Sequence, residues 1–98
     1  MAYFHVFLRG EQFLVHQDGK DSWMGFYKNI YVETDSAEHA EQLAIRRLSS
    51  DAEFRASVRN PPDKPPALNI EEVTQIESDA SLKDSNFVFF PDETVNPG

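Results

Sequence analysis

The chain has 98 residues, with 17 Asp and Glu against 9 Lys and Arg, a formal net charge of −8, and no cysteine. This length supports a single hydrophobic core, and the lack of cysteine excludes disulfide frameworks and thiolate chemistry. Nucleic acids and anionic membranes are both bound largely through cationic groups, so the acidic balance argues against either as a partner. Since the N-terminus has neither a signal-peptide nor a membrane-span pattern, we expect a cytoplasmic protein.

The first predicted element is a β-hairpin. Residues 3–8 and 13–16 are rich in Phe, Val and Leu and flank a short polar segment that contains glycine, which is the pattern of two paired strands. Gly10-Glu11 fits a type II′ turn, where glycine supplies the positive φ of the first central position. In the resulting register, one apolar set faces the core: Phe4, Val6, Leu8, Phe13 and Val15.

A third strand is predicted over residues 26–34, after a turn cluster at residues 18–22. Its apolar and aromatic side chains alternate in the way that a half-buried strand requires. One parity carries Phe26, Ile30 and Val32, and the other carries Tyr27, Asn29, Tyr31 and Glu33.

The segment from Asp35 to Ser50 predicts a long helix that packs across the sheet. Asp35 or Ser36 can cap its N-terminus, and its apolar side chains recur at helical spacing. A second capping signal, at Ser50-Asp51-Ala52-Glu53, predicts a short further helix over residues 51–58. The four prolines between residues 60 and 66 then end helical structure and predict an extended crossover within the same domain.

The last part of the domain predicts a return to the sheet. Leu68 and Ile70 alternate as in a strand, whereas Val73 and Ile76 are out of phase, so the segment is either a strand with a bulge near Glu71-Glu72 or a helix. We favour the bulged strand because it completes a β-α-β unit. The apolar residues 87–90, stopped by a proline, predict an edge strand.

The predicted fold class is therefore α+β, with the order β-β-β-α-β and a possible final edge strand. In it, an antiparallel hairpin and a third strand form a sheet, one long helix packs on that sheet, and a later strand returns to it. The single domain spans residues 1–91, and residues 92–98 form a disordered tail.

The predicted hairpin brings together one candidate metal site. A turn at Gly10-Glu11 places His5 opposite His16, with Asp18 one pair further along the same face, and two imidazoles with a carboxylate are ligands for a divalent ion. The alternative is that the two rings simply stack on a partly covered sheet. No nucleophile elbow, phosphate loop or separated pair of carboxylates is visible, so we predict no catalytic residues, and an enzyme is only the third hypothesis, after the two binding functions given below.

An aromatic surface is the other candidate site. A sheet with a helix on one side leaves its second face bare, and a bare aromatic face meets a second copy, another protein or a segment of its own chain. The segment FVFF at residues 87–90 is the candidate for such self-coverage. The leading hypothesis is a protein-interaction or regulatory module that forms a homodimer, and the alternative is a small-ligand or divalent-metal binding protein. The predicted surface comprises Tyr3, Phe7, Trp23, Tyr27 and Tyr31.

Several segments together resemble a group of small uncharacterised bacterial proteins of about this length. These segments are RGEQFL, GFYKNIYVET running into AEHAEQLAIRRL, PPALNIEEVTQIES and FVFFPDE. Their shared features are an Arg-Gly-Glu segment, a Gly-Phe-Tyr strand, a helix rich in Ala and Glu, and a closing Phe-Phe-Pro. The resemblance implies a bacterial cytosolic origin, and it implies no activity and no catalytic residues.

Overall fold

The computed structural model describes residues 2–77 and 87–92. Each pair of neighbouring strands in its four-stranded sheet is antiparallel, in the order β3-β1-β2-β4. The fold is α+β, as predicted, and it has two helices, of 13 and 6 residues. Within the described ranges no helix has the length and apolar character needed to cross a membrane. The elements are β1 (Ala2–Gln17), β2 (Lys20–Thr34), α1 (Ala37–Ser49), α2 (Ala52–Ser57), β3 (Ala67–Ile76) and β4 (Val88–Pro91).

The predicted hairpin turn at Gly10-Glu11 is wrong. β1 continues through this segment as one strand of 16 residues, and the chain reverses at Asp18-Gly19, where φ is 52° and 80°. Two successive positive φ values define a type I′ turn, for which Asp-Gly is a preferred pair. The two strands predicted at residues 3–8 and 13–16 are therefore halves of β1, and β2 is the partner of both halves.

A β-bulge occupies the place of the predicted turn. Gly10 pairs with Phe26 and Phe13 pairs with Met24, so Glu11 and Gln12 together oppose the single residue Gly25. Gln12 has a φ of 59°. An extra residue in one strand reverses the parity of every side chain that follows it, and the apolar residues on both sides of the bulge therefore face the helices. The predicted core set is confirmed: Phe4, Val6, Leu8, Phe13 and Val15 are all buried.

Both helices pack against this core face and begin at the predicted caps. The Ser36 hydroxyl accepts a hydrogen bond from the His39 backbone N–H at 3.1 Å, and the Asp51 carboxylate accepts one from the Phe54 N–H at 3.0 Å. α1 lies across β1, β2 and β3. Its buried stripe is mostly alanine, which lets the helix axis approach the sheet closely, and consists of Ala40, Ala44 and Leu48.

The crossover from β2 to β3 forms the predicted β-α-β unit, with β1 between the two strands. Both β2 and β3 are antiparallel to β1, so they run in the same direction. The bulge predicted near Glu71-Glu72 is confirmed, because Leu8 pairs with Ile70 and Phe7 pairs with Glu72. Glu71 is the extra residue.

The C-terminal segment docks as the predicted edge strand. β4 pairs with β2, and the centroid of the Phe26 ring lies 5.1 Å from that of Phe87 and 5.9 Å from that of Phe89. The disordered tail was predicted to begin at Asp92, but Asp92 is buried, with 8% of its surface exposed. The other residues of the predicted tail, 93–98, lie outside the described residues.

Two side chains from distant parts of the chain hold the bulge of β1. The Asp92 carboxylate accepts a hydrogen bond from the Gln12 backbone N–H at 2.7 Å. The Asn60 amide donates to the Gln12 carbonyl at 2.7 Å and accepts from the Leu14 N–H at 2.9 Å. The two bonds to Gln12 satisfy backbone groups of the bulge itself. The bond from Leu14 satisfies an N–H beyond Glu11, where the pairing of β1 with β3 ends.

We expect Gly10→Ala to destabilise the protein by about 1–3 kcal/mol, the usual cost of overpacking a core. A methyl group on Gly10 would overlap the ring of Phe26, which lies directly on this glycine. Urea unfolding measures the loss. Gly19→Asn is the control, because Asn tolerates a positive φ and nothing lies within 4 Å of the added Cβ. If overlap with the Phe26 ring causes the destabilisation, Gly10→Ala will lower the free energy of unfolding less in a Phe26→Leu background, as a double-mutant cycle measures. Strictly additive effects of the two substitutions would contradict this explanation.

We expect Asp92→Ala to lower the free energy of unfolding by about 1–3 kcal/mol, because it leaves the Gln12 N–H without its acceptor. Amide exchange at Gln12 should accelerate more than exchange at the centre of β2. Asp92→Asn keeps one carbonyl oxygen and should recover part of the loss. Asp63→Ala is the control, since Asp63 is exposed in the proline segment. Equal effects of Asp92→Ala and Asp63→Ala would contradict the proposed role of the carboxylate.

Candidate functional site

The sheet face opposite the helices, here called the outer face, carries four of the five aromatic residues predicted for it close together. Strand alternation places Tyr3 and Phe7 of β1 beside Tyr27 and Tyr31 of β2, and all four are half-buried. His5, Arg9 and Asn29 share this face by the same alternation. The candidate site is therefore a mixed aromatic and polar surface on the two central strands.

Two cross-strand ring stacks order this surface. The rings of His5 and Tyr31 have centroids 4.9 Å apart and planes 20° apart, and those of Phe7 and Tyr27 are 5.4 Å and 9° apart. His5 Nε2 donates to Asn29 Oδ1 at 2.6 Å. Each stacked ring thus covers one face of its partner, and the stacks hold the side chains in fixed orientations.

Arg9 extends the aromatic surface toward β4. Its Cζ lies 5.5 Å from the ring centroids of both Tyr27 and Phe90, within the range of cation–π attraction. Its Nε lies 3.1 Å from Glu11 Oε1 as an ion pair. The Phe90 ring rests on Gly25, where any Cβ would overlap it. Neither Arg9 nor Phe90 was among the residues predicted for this face, although Arg9 has the same strand parity as Tyr3 and Phe7, which was the signal for its position.

Trp23 lies apart from the other predicted surface residues. It follows the same parity of β2 as Tyr27, but it pairs with Leu14, beyond the bulge of β1. Lys64 Nζ of the proline segment lies 5.7 Å from its ring centroid. Trp23 therefore lies beside Lys64 of the proline segment, outside the stacked group.

The predicted metal set does not come together. His5 pairs with Tyr31, while His16 pairs with Asp21 and its Nδ1 lies 2.7 Å from Asp21 Oδ1. The two histidines are eleven residues apart on β1, which corresponds to roughly 35 Å in an extended strand. Asp18 lies in the turn at the far end from His5. Within residues 2–77 and 87–92 no three metal-ligating side chains cluster. The predicted metal site is wrong because it required a turn at Gly10-Glu11, where β1 instead continues.

No protein-family model matches the chain, and no curated protein or solved structure matches it either. Function is therefore inferred from the geometry of the outer face and of the sheet edges.

We expect zinc titration to leave His5 and His16 uncoupled, because one ion cannot bridge rings at the two ends of β1. The measurement is the chemical shift of the imidazole protons and nitrogens of both residues during addition of zinc at substoichiometric and then excess concentration. His39 provides an internal reference for nonspecific binding to an exposed histidine. Simultaneous saturation of His5 and His16 at one zinc per chain would contradict the separation.

Proposed function

We propose that this protein is a non-enzymatic interaction module that forms a homodimer through its outer face. The observation that supports this proposal is the pair of cross-strand ring stacks on the sheet face that neither helix covers. Tyr, Trp, Phe and Arg are the residue types enriched at protein interfaces. We further propose, from the resemblance described above, that the protein acts in the bacterial cytoplasm.

The stacked arrangement favours a protein surface over a sugar or a nucleobase as the ligand. Sugars and bases bind to aromatic side chains by lying against an open ring face. In both stacks one face of each ring is already covered by its neighbour. A protein surface can instead contact the outward edges of the rings together with the polar side chains between them.

The size of the outer face is adequate for a dimer interface. The molecule measures 47 × 23 × 20 Å, so its broad side offers on the order of 800 Å² to one partner, which is the area that a standard interface buries on each side. The face also carries both signs of charge, with Arg9 beside Glu11. A two-fold axis can bring Arg9 of one copy toward Glu11 of the other, and this reduces the repulsion expected between two acidic chains.

The test is sedimentation velocity over a range of concentrations. We expect the wild type to dimerise and Tyr31→Glu to weaken the dimer by at least tenfold, because a charge within the stacked group would be buried at the interface. Ile45→Glu is the matched control. It likewise introduces a carboxylate, at the exposed Ile45, but on α1, on the other side of the molecule.

Amide and methyl spectra establish that both variants keep the fold, so that lost association is not lost structure. A wild type that is monomeric at every concentration, or a dimer weakened equally by Ile45→Glu and Tyr31→Glu, would overturn the proposal.

A further inference from the structure

We infer that the outer edge of β3 is a second binding site, which accepts an extended basic strand from another protein. β3 pairs with β1 along one side only, and its other side is an edge of the sheet. Within the described ranges nothing pairs with that edge. Alternate backbone N–H and C=O groups there lack a sheet partner, which is the requirement for binding by strand addition.

This edge has few of the features that usually block strand addition. The opposite edge of the sheet is β4, which has four residues and ends in Pro91. β3 has ten residues and contains no Pro, Lys or Arg. The bulge at Glu71 interrupts its ladder, but five residues, 72–76, continue beyond the bulge and match the usual length of a strand.

Charge indicates what kind of strand would bind. Glu71 and Glu72 are exposed on β3, and Glu77 follows directly. Two antiparallel copies of β3 centred on Glu71-Glu72 would oppose like charges, which destabilises cross-strand pairs. A strand that carries Lys or Arg opposite these glutamates would gain the corresponding attraction, so the charge pattern favours a basic partner over a second copy of β3.

The two sides of β3 specify an alternating pattern in the partner strand. On the outer face, Glu72 and Thr74 are exposed and hydrogen-bonded to each other at 3.2 Å. On the helix side, Ile70 and Val73 are only half-buried against the core. A partner with basic residues on one side and apolar residues on the other would pair with the glutamates and cover these apolar side chains.

The probe is an acetylated and amidated eight-residue peptide that alternates lysine and valine. We expect saturable binding with amide shifts confined to β3 and its flanks, and slowed hydrogen exchange at every second amide of β3, those that point away from β1. The double variant Glu71→Lys/Glu72→Lys should weaken this peptide by at least tenfold and should bind a peptide that alternates glutamate and valine. Both glutamates are exposed, so the reversal leaves the core unchanged.

A second peptide separates strand addition from simple charge attraction. Replacing its two central valines with proline keeps the charge and removes the backbone donors that a strand needs. We expect this peptide to bind at least tenfold more weakly. Equal binding of the two lysine peptides, or shifts that map to α1 or the outer face, would overturn the inference, as would no binding at millimolar peptide.

The inference is independent of the proposed dimer. Tyr31→Glu should bind the lysine–valine peptide as the wild type does, because Tyr31 lies on β2 and β1 separates it from β3. If Tyr31→Glu abolished peptide binding while remaining folded, the edge of β3 would not be the site.

Discussion

The fold depends on one local constraint, the bulge at Glu11-Gln12 together with the hydrogen bonds that its backbone N–H and C=O groups make. The bulge frees backbone groups from the ladder between β1 and β2, and these groups are bonded by the Asp92 carboxylate and the Asn60 amide. The bonds join residues 80 and 48 positions apart in the sequence. The bulge therefore fixes both the end of β4 and the start of the proline crossover, in addition to the direction of its own strand.

Three short segments that looked like separate structural motifs in the sequence meet at this point. Gly10 is covered by the ring of Phe26, and Gly25 is covered by the ring of Phe90. Arg9 lies beside Tyr27 and Phe90. The Arg-Gly-Glu, Gly-Phe-Tyr and Phe-Phe-Pro segments are thus parts of one packing arrangement, in which two glycines make space for two phenylalanine rings from adjacent strands.

The helices, the bulge in β3, the edge strand and the core residues were predictable because each depends on local spacing or capping. The hairpin was not, because a two-residue turn and a one-residue bulge both reverse the side-chain parity between Leu8 and Phe13. Choosing between them needs the contacts of Asp92 and Asn60, which are distant in sequence. The Asp18-Gly19 pair was the local signal for the true turn. The predicted metal site depended on the wrong turn, and it is wrong for that reason. The positions of Tyr27 and Tyr31 on one face were predicted correctly, because their strand parity does not depend on the turn.

In a single chain, side chains of the outer face already contact one another. His5 is bonded to Asn29, Arg9 is paired with Glu11, and the rings of both stacks cover one another. Separation of two copies would therefore expose few unpaired polar groups, whereas interfaces of obligate dimers are larger and more apolar. We therefore expect the proposed association of two copies to be reversible. Because the edge of β3 points sideways from the sheet and not along its face, the proposed strand addition is compatible with the monomer and with the proposed dimer alike.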